Sequence, residues 1–148
     1  MSADFSFFLH ALATEFDAQA GVKARDHLLR AVGHRMAQRL PLPECRTLEA
    51  LEMESNALLA FLGWGKARIT VSTQPRGLIV SLVDCPTVGA LGEPAGYWLG
   101  CSIGGLYEIW LKNAEHDQEV DWTSKIQKGV DASASGALSI LLEAQRRE

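Results

Sequence analysis

The sequence has little of what would mark a catalyst, a membrane protein or a nucleic-acid binder. Its three cysteines and four histidines never fall into a Cys-x-x-Cys pair or a His-Glu-x-x-His pattern, so no zinc-type ligand spacing is present. Cys45, Cys85 and Cys101 are also too few and too scattered for a disulfide framework, which points to reduced thiols in a cytoplasmic protein. No Gly-x-Ser-x-Gly elbow occurs, and no Lys-Ser or Lys-Thr follows the glycine cluster as in a phosphate loop. No apolar run reaches the ~18 residues of a membrane span, and no Lys or Arg precedes the first apolar stretch, so neither a membrane span nor an export signal is expected. Against 14 Lys and Arg stand 18 Asp and Glu, a net charge of -4. Whole-molecule attraction to nucleic acid or anionic lipid is thereby disfavoured, because it relies on excess positive charge.

What is present is an ordinary globular composition, 47% hydrophobic and 22% charged over 148 residues. That length suits one domain over residues 1–148, burying roughly two-thirds of the surface of the unfolded chain. After Asp4, a good N-cap, Phe5, Phe8, Leu9, Leu12 and Phe16 share one helical face. Gly21 separates this from a second helix carrying Leu28, Leu29, Val32 and Met36, stopped by Pro41 and Pro43. Thr47 caps a third, with Leu48, Leu51, Ser55, Leu58, Leu59 and Leu62 inward and Gly63 as its left-handed end. The period then changes to two. Ala67, Ile69, Val71 and Thr73 alternate with polar residues, and Gln74-Pro75-Arg76-Gly77 turns into a strand over 78–83. A loop over 85–93 leads to a fourth helix from Pro94 to about Asn113. Val120, Trp122, Ser124 and Ile126, then Leu138, Ile140 and Leu142, mark a second hairpin joined by the small polar segment 129–136. The expected class is α+β, in the order helix-helix-helix-strand-strand-helix-strand-strand, with an antiparallel sheet covered by helices on one face.

Candidate chemistry is thin. His27 and His34 lie on one helical face two turns apart, and His10 and His116 stand alone, which reads as solvated surface more readily than as a metal site. Cys85 precedes Pro86 without any nucleophile signature. Gly96, Gly100 and Gly104 recur along the fourth helix as a bare stripe, a surface for close backbone approach either between subunits or against the sheet. Lys23, Arg25, Arg30, Arg35 and Arg39 on the second helix face Glu44, Glu49, Glu52 and Glu54 in or just before the third, a pattern that suits neighbouring helices exchanging charge better than an anion-binding strip. Tyr97, Trp98, Trp110 and Trp122 could stack on sugar rings, but their spacing fits core packing better. No catalytic, cofactor-binding or metal residue is assigned, no cofactor is expected, the substrate-binding residues are unknown, and the chain reads as a non-enzyme.

The stretch GVKARDHLLRAVGHRMAQRLPLPECRTLEALEMESNALLAFLGWG, Gly21 to Gly65, resembles the D subunit of bacterial cellulose synthase. PTVGALGEPAGYWLGCSIGGLYEIW, Pro86 to Trp110, resembles the same family's Gly-Glu-Pro-x-Gly-x-Trp segment followed by Gly-Leu-Tyr. The resemblance implies a non-catalytic accessory protein that forms a dimer-based octamer and helps organise or export β-1,4-glucan chains into crystalline cellulose. It further implies an N-terminal helix facing the passage, with other synthase subunits, a proline-rich accessory protein and glucan chains as partners. Asp4, Ser6 and His10 match the family's N-terminus too loosely to carry binding roles. The absence of an export signal favours the cytoplasmic side of the inner membrane, with the periplasm as the alternative. More remotely, the element order and the Gly-Trp-Gly ending are similar to the sensing and tethering domains of the vinyl-reductase-like superfamily, which would imply a ligand pocket between the fourth helix and the sheet.

Overall fold

The computed structural model describes residues 6–84, 96–114, 120–127 and 138–146. Three helices come first: α1 (Ser6–Ala20), α2 (Val22–Arg39) and α3 (Leu48–Leu62). Strands β1 (Lys66–Ser72) and β2 (Gly77–Val83) precede α4 (Gly96–Ala114), and β3 (Val120–Ile126) and β4 (Leu138–Arg146) close the chain. The four strands form one antiparallel sheet in the order β1-β2-β4-β3. This is the expected class and element order, with most boundaries within a residue or two; β4 runs to Arg146, four residues past the Leu142 that its inner alternation marked. Asp4, Pro94 and the segments 85–93 and 129–136 lie outside the described residues.

The local signals act as the chemistry requires. Thr47 Oγ1 accepts from the Ala50 amide at 3.0 Å, satisfying an amide that the first turn of α3 leaves unpaired. At the other end Gly63 takes φ 71°, and the Trp64 amide returns to the Leu59 carbonyl at 3.0 Å, closing α3 with a left-handed cap. Alternation in β1 and β2 puts Ala67, Ile69, Val80 and Leu82 on one face, where β4 adds Ile140 and Leu142, all buried.

Ile103, Leu106, Tyr107, Trp110 and Leu111 of α4 are buried in the same core. Tyr107 and Trp110 meet edge to face, ring centroids 5.1 Å apart. Each aromatic also uses its polar tip: Tyr107 Oη donates to Ser55 Oγ on α3 at 2.9 Å, and Trp110 Nε1 donates to the Leu40 carbonyl after α2 at 2.8 Å. Trp110 is therefore core, as its spacing indicated. Tyr97 and Trp98 carry side chains outside the described set.

α2 lies across α4 at a reciprocal notch of glycines. A Cβ on Gly33 of α2 would strike the Ser102 carbonyl oxygen, and a Cβ on Gly105 of α4 would strike the Arg30 carbonyl oxygen. Two backbones meet without side chains between them, and the Ser102 hydroxyl donates to the Leu29 carbonyl at 2.9 Å across the same contact. Gly104 faces the Ser124 side chain on β3. The bare stripe of α4 is thus an internal surface at Gly104, and its intersubunit version is not what this position serves. The expected exchange of charge between second and third helices is also corrected. Among the described residues α2 and α3 do not pack together: α2 packs on α4, and α3 on β1.

Replacing Gly33 by Ala is expected to destabilise the fold by about 1–3 kcal/mol, the usual range for overpacking. Urea denaturation would show it as a lowered midpoint at unchanged slope.

Candidate functional site

The densest polar cluster is built around Glu108, the only charged residue between Gly96 and Leu111. Its side chain is 8% exposed. Oε1 accepts from His34 Nε2 of α2 at 2.7 Å. Oε2 accepts from the Ser124 amide of β3 at 2.7 Å and from the Ser124 hydroxyl, with Arg30 Nε at 3.5 Å. One carboxylate thus joins α2, α4 and β3. Both its oxygens accept from protein donors, so the carboxylate acts as a clamp that ties the three elements together.

The thiols are unsuited to chemistry. Burial, then the charge and hydrogen bond of Asp26, push the Cys101 thiol up to about 12 against the weaker pull of Arg25 and Arg30. Burial and Glu54 also push Cys45 up, and its Sγ–H lies 3.1 Å from the Pro43 carbonyl. Burial raises the Tyr107 phenol as well. His27 is exposed, His34 is held by Glu108, and the side chains of His10, His116 and Cys85 lie outside the described residues. Among the described residues no three His, Cys, Asp or Glu side chains gather as a metal site would require. A groove of 220 Å³ opens beside Cys45, between the start of α3, the end of α4 and the sheet, walled by Leu48, Leu51, Leu78, Leu111 and Trp122.

The unusual feature lies on the surface. On α1, Phe7 is 71% and Phe8 64% exposed, with Leu9 and Leu12 beside them, and this helix packs against no described element except α2. Leu28 and Val32 of α2 are exposed too, as are Met53 and Phe61 on α3. Single exposed apolar residues are commonplace, but grouped phenylalanines on one helix form an apolar patch of the kind found at interaction surfaces. The apolar face of the first helix was legible in the sequence, whereas its exposure among the described residues was not.

A family model for the D subunit of cellulose synthase matches residues 1–135. The chain belongs to this cellulose synthase D-subunit family. It is 44% identical over 108 residues to cellulose synthase operon protein D of Komagataeibacter xylinus, spanning 73% of this chain and 69% of that one. The counterpart from Komagataeibacter sucrofermentans matches with the same identity and coverage. The chain is accordingly an accessory protein of cellulose synthesis, as the segments Gly21–Gly65 and Pro86–Trp110 implied. In fold it is also similar to a trafficking protein particle complex subunit 3 from Naegleria fowleri, solved covalently bound to palmitic acid: TM-score 0.60, 14% identity, 97% of this chain and 96% of that one. This likeness concerns the fold alone. No helix among the described residues is long and apolar enough to cross a membrane.

Glu108→Gln is expected to cost about 1.5–3 kcal/mol, the range for hydrogen bonds to a charged group, with most of the loss from the Ser124 contacts because His34 and Arg30 are partly solvated. Thermal or urea unfolding at pH 7 would measure it. Cys101, with a thiol near 12, should react with iodoacetamide at pH 8 about a thousandfold more slowly than an unhindered cysteine, since its thiolate fraction is lower by that factor. The same shift makes its protonated form a stabilising one below the ordinary thiol range. That contribution fades as pH rises from 9.0 through about 12, and mass-resolved labelling with pH-dependent melting would follow both effects.

Proposed function

We propose that this chain is a non-catalytic, self-assembling accessory subunit of the bacterial cellulose synthase complex. In this reading it forms a dimer-based octamer that helps organise or export β-1,4-glucan chains and promotes cellulose crystallinity, while a different subunit polymerises the glucose. The observation that carries it is α1: a Phe-rich helix, exposed along Phe7, Phe8, Leu9 and Leu12 and, among the described elements, packed only on α2. Family membership supplies the biological setting, and the raised thiols of Cys45 and Cys101 accord with a role without catalysis. Other synthase subunits, a proline-rich accessory protein and the glucan are its partners, at the cytoplasmic side of the inner membrane. The free thiols of Cys45 and Cys101 favour that side.

A small-ligand sensor finds less support. Trp110 and Leu142 are buried where α4 packs on the sheet, in the place that a ligand pocket would need.

Native mass spectrometry and light scattering at micromolar concentration are expected to give a multimer of about eight copies, a closed ring being the symmetric solution. A lone protomer under those conditions would remove the ring. Substituting Phe7, Phe8 and Leu12 by Ser should shift the mass downward while leaving the melting temperature nearly unchanged, because these side chains are outside the core. In cells, deleting the gene should lower the amount or crystallinity of cellulose without abolishing synthase turnover.

A further inference from the structure

Apart from Phe16 and Asp17, every side chain of α1 that the structure describes is exposed, and none belongs to the core. The helix meets α2 through one residue. The Gly21 N–H donates to the Asp17 carbonyl at 3.0 Å, closing α1, and the Gly21 carbonyl accepts from the Arg25 N–H at 3.1 Å, opening α2. Each bond moves with its own helix, because the N–H lies before the φ and ψ bonds of Gly21 and the carbonyl after them. The two helices therefore reorient by turning two dihedral angles, with neither bond broken. Gly21 has φ 90° and ψ 163°, a region that residues with a Cβ enter only with strain. An ion pair spans the joint: Arg25 Nη1 lies 2.7 Å from Asp17 Oδ2. On the Asp17 side this pair is incomplete. Asp17 Oδ1 is buried without a hydrogen-bond partner, and Arg25 is shared with Asp26 at 3.3 Å. A buried acceptor without a donor offsets part of what the ion pair contributes, and it regains water when α1 turns away.

We propose that α1 is a latched arm: it turns about Gly21 between the orientation seen here, held by Asp17 and Arg25, and a released orientation in which Asp17 is solvated. The inference concerns a single chain and does not depend on the assembly reading above. The glycine supplies the freedom, the ion pair supplies the bias, and the orphaned carboxylate oxygen keeps that bias small. Asp17 is 30% exposed, so the pair is screened by salt and ionic strength shifts the arm. An anionic group that competes with Asp17 for Arg25 acts in the same direction. Because α1 adds no described side chain to the core, release leaves α3, α4 and the sheet as they are. What changes is the place at which Phe7, Phe8, Leu9 and Leu12 are presented, since all four ride on the arm. The latch thereby controls the position of the apolar patch without altering its composition.

The test uses full-length protein in a background where Cys45, Cys85 and Cys101 are replaced by Ser or Ala. Nitroxides at Ala11→Cys on α1 and Thr70→Cys on β1, both exposed positions, report the distance of the arm from the body by pulsed electron paramagnetic resonance. Labelled chain is folded with an excess of unlabelled chain, so that no particle holds two labelled copies. At low salt one principal distance is expected. Asp17→Asn should raise a second, released population about two- to fivefold, the range for a part-exposed ion pair. Addition of about 1 M NaCl should do the same to the parent protein and add little to the variant. Gly21→Ala should raise the released population roughly tenfold through φ strain alone, because its Cβ meets nothing within 4 Å. Urea midpoints followed by Trp fluorescence should stay unchanged in both variants, since every tryptophan lies outside α1. Three results would overturn the proposal. A single distance that neither substitution nor salt disturbs removes the arm. Two distances whose proportions ignore Asp17→Asn and salt show a hinge without a latch, and remove the proposal. A urea midpoint that falls along with release shows that the pair supports the whole fold, and removes it equally.

Discussion

A four-stranded sheet has two outer strands, each with a row of backbone groups that no neighbouring strand satisfies. Left open, such edges recruit other strands. Here helices close both. At β1, Glu52 and Asn56 take the amides of Ile69 and Ala67 and the Ala67 carbonyl, so two side chains of α3 stand in for a fifth strand. At β3, Glu108 takes the Ser124 amide, and Arg30 Nη2 approaches the Ser124 carbonyl at 3.5 Å. Each buried carboxylate or amide is tolerable because it is bonded to the backbone it covers, and each covered backbone group escapes the penalty of an unpaired donor or acceptor.

This constraint orders the rest of the molecule. Glu108 reaches β3 only if α4 lies across the sheet, and it meets His34 and Arg30 only if α2 lies close on α4, which Gly33 and Gly105 allow. Glu52 and Asn56 reach β1 only if α3 runs beside that edge. Polar groups spent on the edges are then missing from the outer surfaces of the helices, where apolar side chains remain. Association by strand addition is blocked at the capped positions, and what is offered to other molecules is helix: α1 with its phenylalanines and the Met53–Phe61 stripe. The link from fold to function thus runs through a choice of where polar atoms are used.

Much of the architecture was legible because its causes are local. Thr47 and Gly63 bound α3 by capping chemistry confined to a few residues, and the change of period at Ala67 reflects the geometry of a strand. The Glu108 clamp was not legible, since it joins positions 74 and 16 residues apart that only the tertiary fold brings together. A hint existed in a single carboxylate standing within the apolar run from Gly96 to Leu111. The glycine stripe of α4 was visible, but its use was not: Gly104 and Gly105 face different neighbours, and Gly33, the reciprocal half of the notch, stands alone in α2. The exchange of charge expected between α2 and α3 failed because opposite composition says nothing about adjacency. Arg25 and Arg30 of α2 are drawn instead to Asp17, Asp26 and Glu108.

The two exposed apolar helix faces, on α1 and α3, differ in how they are held. The stripe on α3 sits on a helix capped at both ends and bonded along its length to β1, so its direction follows that of the sheet. α1 is held otherwise. It joins α2 at Gly21, whose φ of 90° is a conformation that other residues adopt only with strain, and its direction is braced by Arg25, which binds Asp17 at 2.7 Å and Asp26 at 3.3 Å. One glycine and one arginine therefore set where the Phe-rich helix points. The face of α3 is thus fixed to the sheet, whereas that of α1 depends on the joint at Gly21 and the Arg25 brace.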